Sequence, residues 1–230
     1  MDFRRTMTRG AEIFVRARPW LGWLVLAGQV RQSDVDASDI IGRLLDKADP
    51  SLTAFWLDPE SSPDPGLERI IDEIEPLLSA PIERLGAGDD VPRESVEVGL
   101  ILMAGSDLAL WTDVLGSTGA GQWVGDRLDD GSVVFAAAAA ASALGELVFG
   151  EGVRECGIHG AGWLPRAAVL SSDSDPADHP DLKDYLSETD HSYALGLQPG
   201  TAVAIGPQGQ VEVWSGEPPR IVLGQGWIEA

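Results

Sequence analysis

The most constraining stretch of this chain is residues 131–150, GSVVFAAAAAASALGELVFG. Val133, Val134 and Phe135 read as a buried strand, because β-branched and aromatic side chains fill a pleated surface well. Six consecutive alanines follow, Ala136 to Ala141, and residues 142–149 then read as a helix. A strand that turns at once into a helix passes its backbone close to itself, so only small side chains fit the corner. In α/β hydrolytic folds such a corner lifts a nucleophile above the sheet, and the helix behind it offers free N–H groups to an oxyanion. The small residues are present here. A hydroxyl or thiol at the tip is not.

On both sides of this corner the chain alternates between two kinds of segment. Residues 24–27, 52–57, 82–85 and 98–103 are short apolar runs that read as strands, and the last is continuous, as in a strand covered on both faces. Between them, residues 39–47 place Ile40, Ile41, Leu44 and Leu45 at helical spacing behind Ser38 as a cap. A second helix opens at Pro65 and carries Leu67, Ile70, Ile71, Ile74, Leu77 and Leu78, with Pro76 disturbing its last turn. After residue 103 comes a turn, 104–107, then a helix with Trp111, Val114 and Leu115. A loop is expected over 116–121 and a helix over 122–128. Beyond the alanine corner, residues 167–170 read as a strand, 171–180 as an acidic loop and 181–186 as a short helix. Four short strands close the chain, at 193–197, 201–205, 211–214 and 221–223. Alternation followed by β-hairpins predicts a three-layer α/β/α fold with a mainly parallel central sheet and antiparallel C-terminal strands. One domain over residues 19–230 is expected, preceded by a basic arm over 1–18.

Charge narrows the partners. The chain has 230 residues and a net charge of −21. Arg4, Arg5, Arg9, Arg16 and Arg18 face only Asp2 and Glu12, so the first 18 residues carry +3 and the remainder −24. So acidic a body repels phosphate backbones, which argues against nucleic acid as a partner. No apolar run approaches the roughly 20 residues that span a bilayer, and the run at 20–30 lacks a cleavage site after it. A cytoplasmic protein is expected. The single cysteine, Cys156, has no internal partner for a disulfide, which fits a reducing compartment.

Four local patterns, in this order, carry a resemblance: LVLAG at 24–28, LILMAGSD at 100–107, VVFAAAAAASALG at 133–145, and GWLPRAAVLSS through ALGLQPGTAVAI across 162–205. Together they resemble the peptidase E and cyanophycinase family, serine hydrolases with a class I glutamine amidotransferase-like, flavodoxin-related fold. The resemblance implies that the turn after the fourth strand, here Ala104-Gly105-Ser106-Asp107, supplies an oxyanion-hole amide, with one glycine of the family's pair retained as Gly105. It implies that the family's Gly-x-Ser-Ala-Gly-Ala corner falls on Ala136 to Ala141, which puts Ala138 in the place of the nucleophile. The histidine position, six residues beyond Leu164-Pro165, falls on Ser171, with Ser172 next. The carboxylate position falls on the turn Gly196-Leu197-Gln198-Pro199-Gly200, at Pro199. A triad needs the nucleophile held against the base and the base held by the third group. Ala138, Ser171 and Pro199 supply none of these roles, so the resemblance implies a catalytically degenerate member.

The expected cleft is therefore lined by Gly105, Ser106, Asp107, Ala138, Ala139, Ser171 and Ser172, with Asp173 and His191 beside it and Trp111 and Trp163 as aromatic walls. No cofactor and no metal is expected. The oxygen-rich loop over 171–181 lacks the glycine of a calcium-binding loop and reads as a solvated acidic segment. Two functions follow, beside a third alternative, a metal-dependent activity through the loop at 173–191. The first is binding of a small molecule, a peptide or a protein without catalysis, with a homodimer implied by the family resemblance. The second is hydrolysis with an unusual nucleophile, Ser171, Ser172 or Cys156. Cys156 with His159 in a glycine-rich segment reads more readily as an inert buried thiol.

Overall fold

The computed structural model describes residues 20–30, 37–59, 65–86, 89–92, 95–117, 119–149, 158–171 and 175–227. The basic arm, Cys156 and Ser172 to Ser174 lie outside them. The strands are β1 (Trp23–Ala27), β2 (Thr53–Asp58), β3 (Glu83–Gly86), β4 (Val98–Gly105), β5 (Val133–Ala138), β6 (Gly145–Val148), β7 (Ile158–His159), β8 (Leu164–Ser171), β9 (Tyr193–Leu197), β10 (Ala202–Ile205), β11 (Val211–Ser215) and β12 (Arg220–Leu223). The helices are α1 (Ala37–Lys47), α2 (Pro65–Ile74), α3 (Leu108–Ser117), α4 (Gly119–Asp130), α5 (Ala139–Ala143) and α6 (Pro180–Glu188).

Seven strands form the main sheet in the order β11-β10-β1-β5-β4-β2-β3. From β1 to β3 every neighbouring pair is parallel, and β10 and β11 add an antiparallel edge. This is the layered α/β architecture expected. Alternation of side chains across the pleat explains how it packs. Leu24 and Leu26 of β1 enter one buried cluster with Phe55, Met103, Trp111 and Val124, on the side of α3, α4 and α5. Val25 and Ala27 enter the other, with Ile40, Leu44, Ile70 and Ile74 of α1 and α2. Each fully buried leucine or isoleucine there contributes about 1.5–3 kcal/mol, so both faces of the sheet are strongly held.

Three expectations are corrected. The segment after the alanines is not one helix: α5 stops at Ala143, and residues 145–148 become β6. Gly145 lies against β8, where an added Cβ would stand 2.8 Å from the carbonyl oxygen of Ala167, and β6 pairs with β8 on one side and β7 on the other. Within the expected loop at 116–121, α3 runs on to Ser117 and α4 already begins at Gly119. Gly121 lets α4 abut α3, because a Cβ there would stand 2.1 Å from the Leu115 carbonyl oxygen. Ser38 lies inside α1, which already begins at Ala37, so it is not the cap.

A second sheet was not expected. Its five strands run β12-β9-β8-β6-β7, and its inner face, with Val169 and Leu195, joins the cluster on the α3 to α5 side. Its outer face, with Ala168, Leu170 and Ala194, is covered by Leu182 and Leu186 of α6. Among the described residues no helix is long and apolar enough to cross a membrane.

Candidate functional site

The alanine corner lies at the carboxyl edge of the main sheet. β5 is a central strand, and its last residue, Ala138, pairs in register with Gly105 at the end of β4. Ala138 has φ 53° and ψ −125°, and α5 begins at the next residue. That combination is open to glycine and unfavourable for any residue with a Cβ, at a typical cost of about 1–3 kcal/mol. It is the sharp, strained strand-to-helix turn that lifts a side chain above the carboxyl edge of a sheet. Ala138 and Ala139 are partly exposed at the tip, while Ala140, Ala141 and Ala143 are completely buried. The buried alanines are required because α5 packs against β4, β5, β8 and α3 together. Ser142 is buried within α5, away from the tip.

Strain at Ala138 predicts that Ala138→Gly stabilises the protein. Relief of about 1–3 kcal/mol outweighs the entropy cost of glycine, roughly 0.5–1 kcal/mol, leaving a net gain of about 1 kcal/mol. Urea denaturation measures it, and a destabilised variant would mean the corner is relaxed with a methyl group in place.

The other candidates gather by topology at the same edge. Ser106 and Asp107 are exposed just past Gly105, and Asp107 Oδ1 accepts a hydrogen bond of 3.0 Å from the Leu110 N–H, capping α3. Ser171 ends β8 in register with Leu197 of β9. Its Oγ is buried and finds no hydrogen-bond partner among the described residues. Pro199 lies in the turn from β9 to β10, which folds over the end of β1. There the Gly28 N–H donates to the Thr201 carbonyl at 2.9 Å, and the Gly200 N–H donates to the Gln29 carbonyl at 3.2 Å. Ala27, just before Gly28, pairs with Ala137. Neighbour by neighbour, the edge therefore runs from Ala138 through the end of β1 to the Pro199 turn, and from Leu197 to Ser171.

His191 is elsewhere. It precedes β9, at the opposite end of the strand from Leu197, with φ 56°, and faces Asp190 at 2.9 Å and the ring of Trp227. Trp111 is not a cleft wall, being completely buried in the core. Trp163 does border a cavity, of about 220 Å³, but it is shared with Trp20 and Leu128 next to the residues that lead into β1 and β5, at the amino edge of the main sheet. His159 lies in β7, and His179 packs edge-on to Phe149 at 5.7 Å. In the acidic loop, Asp175 accepts a hydrogen bond from the Ala177 N–H, which holds its carboxyl below the usual range, and a second from Arg220. Among the described residues no three His, Cys, Asp or Glu side chains are grouped to hold a metal ion.

Two features escaped the sequence reading. Asp58, at the carboxyl end of β2, is almost completely buried and paired with Arg84 of β3. An aspartate closing the otherwise apolar run TAFWLD was the available signal. A cavity of about 260 Å³ also opens at the carboxyl ends of β2 and β3, walled in part by Trp123.

Solved structures with this fold exist. A peptidase from an acI-B1 Actinobacterium superposes with a TM-score of 0.59 at 14% identity, covering 89% of this chain and 95% of the other. A putative peptidase E protein from Listeria monocytogenes EGD-e gives 0.55 at 11% identity, covering 88% and 98%. The fold is that of the peptidase E-type proteins. No protein-family model and no curated protein matches the sequence. At identities this low the peptidase E-type likeness establishes architecture, and chemistry has to be argued from the residues themselves.

Proposed function

We propose that this chain is a relative of the peptidase E-type hydrolases in which the hydrolytic reaction has been lost, and that it acts by binding. One observation carries this reading: the strained corner at φ 53° and ψ −125° is kept, yet its side chain is the methyl group of Ala138. A methyl group has no lone pair to attack a carbonyl and no proton for a base to remove. Retaining a costly backbone geometry without its nucleophile fits a scaffold inherited from an enzyme. Ser171 and Pro199, at the positions that the family resemblance assigns to base and acid, bring neither an imidazole nor a carboxylate.

A serine-reactive fluorophosphonate probe tests this. The protein is expected to remain unlabelled by intact mass, with no peptide hydrolysis, and Ala138→Ser is expected to stay unlabelled as well, because the position that the resemblance assigns to the base holds Ser171. A stoichiometric adduct on the unmodified protein would overturn the proposal.

The second reading is hydrolysis through Ser171, favoured by its buried Oγ without a partner among the described residues. It requires the adduct to map to Ser171 and to vanish in Ser171→Ala. Ser172 and Cys156, the other alternative nucleophiles, lie outside the described residues.

A further inference from the structure

The cavity at the carboxyl ends of β2 and β3 is built by side chains that are missing as much as by those present. Leu57 and Leu85 from the strands and Val114 and Trp123 from the helices form its apolar walls. Trp123 is set edge-on against Phe55, with ring centroids 5.3 Å apart and planes at 88°, so this wall is rigid. Gly119, which also lines the cavity, would meet no atom of the other described residues outside its own helix backbone within 4 Å if it carried a Cβ. At about 260 Å³ the cavity is just under the roughly 300 Å³ at which sites for drug-sized molecules begin, which suits one ring and a short chain.

Charge decides the class of that ligand. Among the described residues of the lining, the charged side chains are the carboxylates of Asp89 and Asp90, and both are exposed. Asp89 is held in place by the Gly86 N–H, which donates to its Oδ2 at 2.6 Å. The nearest cation along the strand, Arg84, is already paired with Asp58 on the other face of the sheet. An anion would meet two like charges at the mouth and the field of a chain with net charge −21. We propose that this cavity binds a small amine carried on an apolar or aromatic body, the ring against Trp123 and the ammonium between Asp89 and Asp90. The proposal goes beyond the binding role argued above and does not depend on whether Ala138 marks a lost active site.

Calorimetric titration of the full chain with phenethylamine, phenethyl alcohol and 3-phenylpropionate tests it. The amine is expected to bind roughly tenfold or more tightly than the alcohol, the scale of one favourable charge contact at a partly exposed site, and the acid more weakly still. Asp90→Asn, at an exposed position, is expected to weaken the amine about threefold or more and to leave the alcohol unchanged. Gly119→Leu, with space for its side chain, is expected to abolish binding while the far-ultraviolet dichroism stays that of the unmodified protein. The proposal is overturned if the alcohol or acid matches the amine, if millimolar amine gives no binding, or if Asp90→Asn binds the amine as the unmodified protein does. Amine binding unchanged in a folded Gly119→Leu variant would overturn it equally.

Discussion

Gly28→Ala is expected to destabilise the protein by about 3 kcal/mol, at the upper end of what overpacking usually costs. The added Cβ would stand 2.1 Å from the Gln198 carbonyl oxygen and 2.9 Å from that of Leu197, closer than non-bonded atoms approach. Both obstacles are backbone, so no rotamer change removes them. Relief requires the turn carrying Pro199 to lift off the end of β1, which breaks the hydrogen bonds from Gly28 to Thr201 and from Gly200 to Gln29. The same substitution at Gly42 of α1 is the control. Its Cβ would meet none of the described residues outside its own helix backbone within 4 Å, so Gly42→Ala is expected to stabilise by about 0.5–1 kcal/mol through lower entropy of the unfolded chain. Denaturant midpoints for the two variants should move in opposite directions. Equal stabilities would remove the argument that the Pro199 turn is seated on β1.

The second large effect is expected at Asp58. Its side chain is only 2% exposed, whereas that of its partner Arg84 is 48% exposed and lies over the ring of Trp56 at 4.7 Å. Arg84→Ala leaves a buried carboxylate without its counter-charge, a change that costs about 3–5 kcal/mol when both partners are buried. Because Arg84 is half in water, about 3 kcal/mol is the expected loss, including the contact with Trp56. Asp58→Asn removes the charge that needs compensating, so in that background Arg84→Ala should cost about 1 kcal/mol or less. Denaturation of the two single variants and the double variant closes this cycle. Additive losses would show that the pair is not coupled.

Much of the central fold was legible because its signals are local. The continuous apolar run at Val98 to Met103 is a strand buried on both faces, and the spacing of Ile40, Ile41, Leu44 and Leu45 is a helix against the sheet. The corner at Ala138 was legible for the same reason, since a strand followed by alanines has few ways to turn. The misreadings have a common cause. Residues 145–148 were read as helix because leucine and glutamate are good helix formers, yet β8 and β7 supply partners on both sides and override that preference. Gly119 and Gly121 looked like loop residues, while their use is to let α3 and α4 meet closely and to leave a cavity open. His191 looked like a neighbour of Ser171 by sequence distance, but β9 carries the two to opposite ends of the sheet.

By itself, the order of residues determined the alternation of strands and helices, the acidic surface and the absence of a nucleophilic atom at positions 136–141. Those properties depend on side-chain type and on contacts a few residues long. Only the tertiary structure decided that the strands divide into two sheets, that Asp58 is buried against Arg84, that the Pro199 turn sits on Gly28, and that an apolar cavity with an acidic mouth lies beside β2 and β3. Each joins residues far apart in the chain, and such contacts form only where the whole of the core sets which surfaces meet.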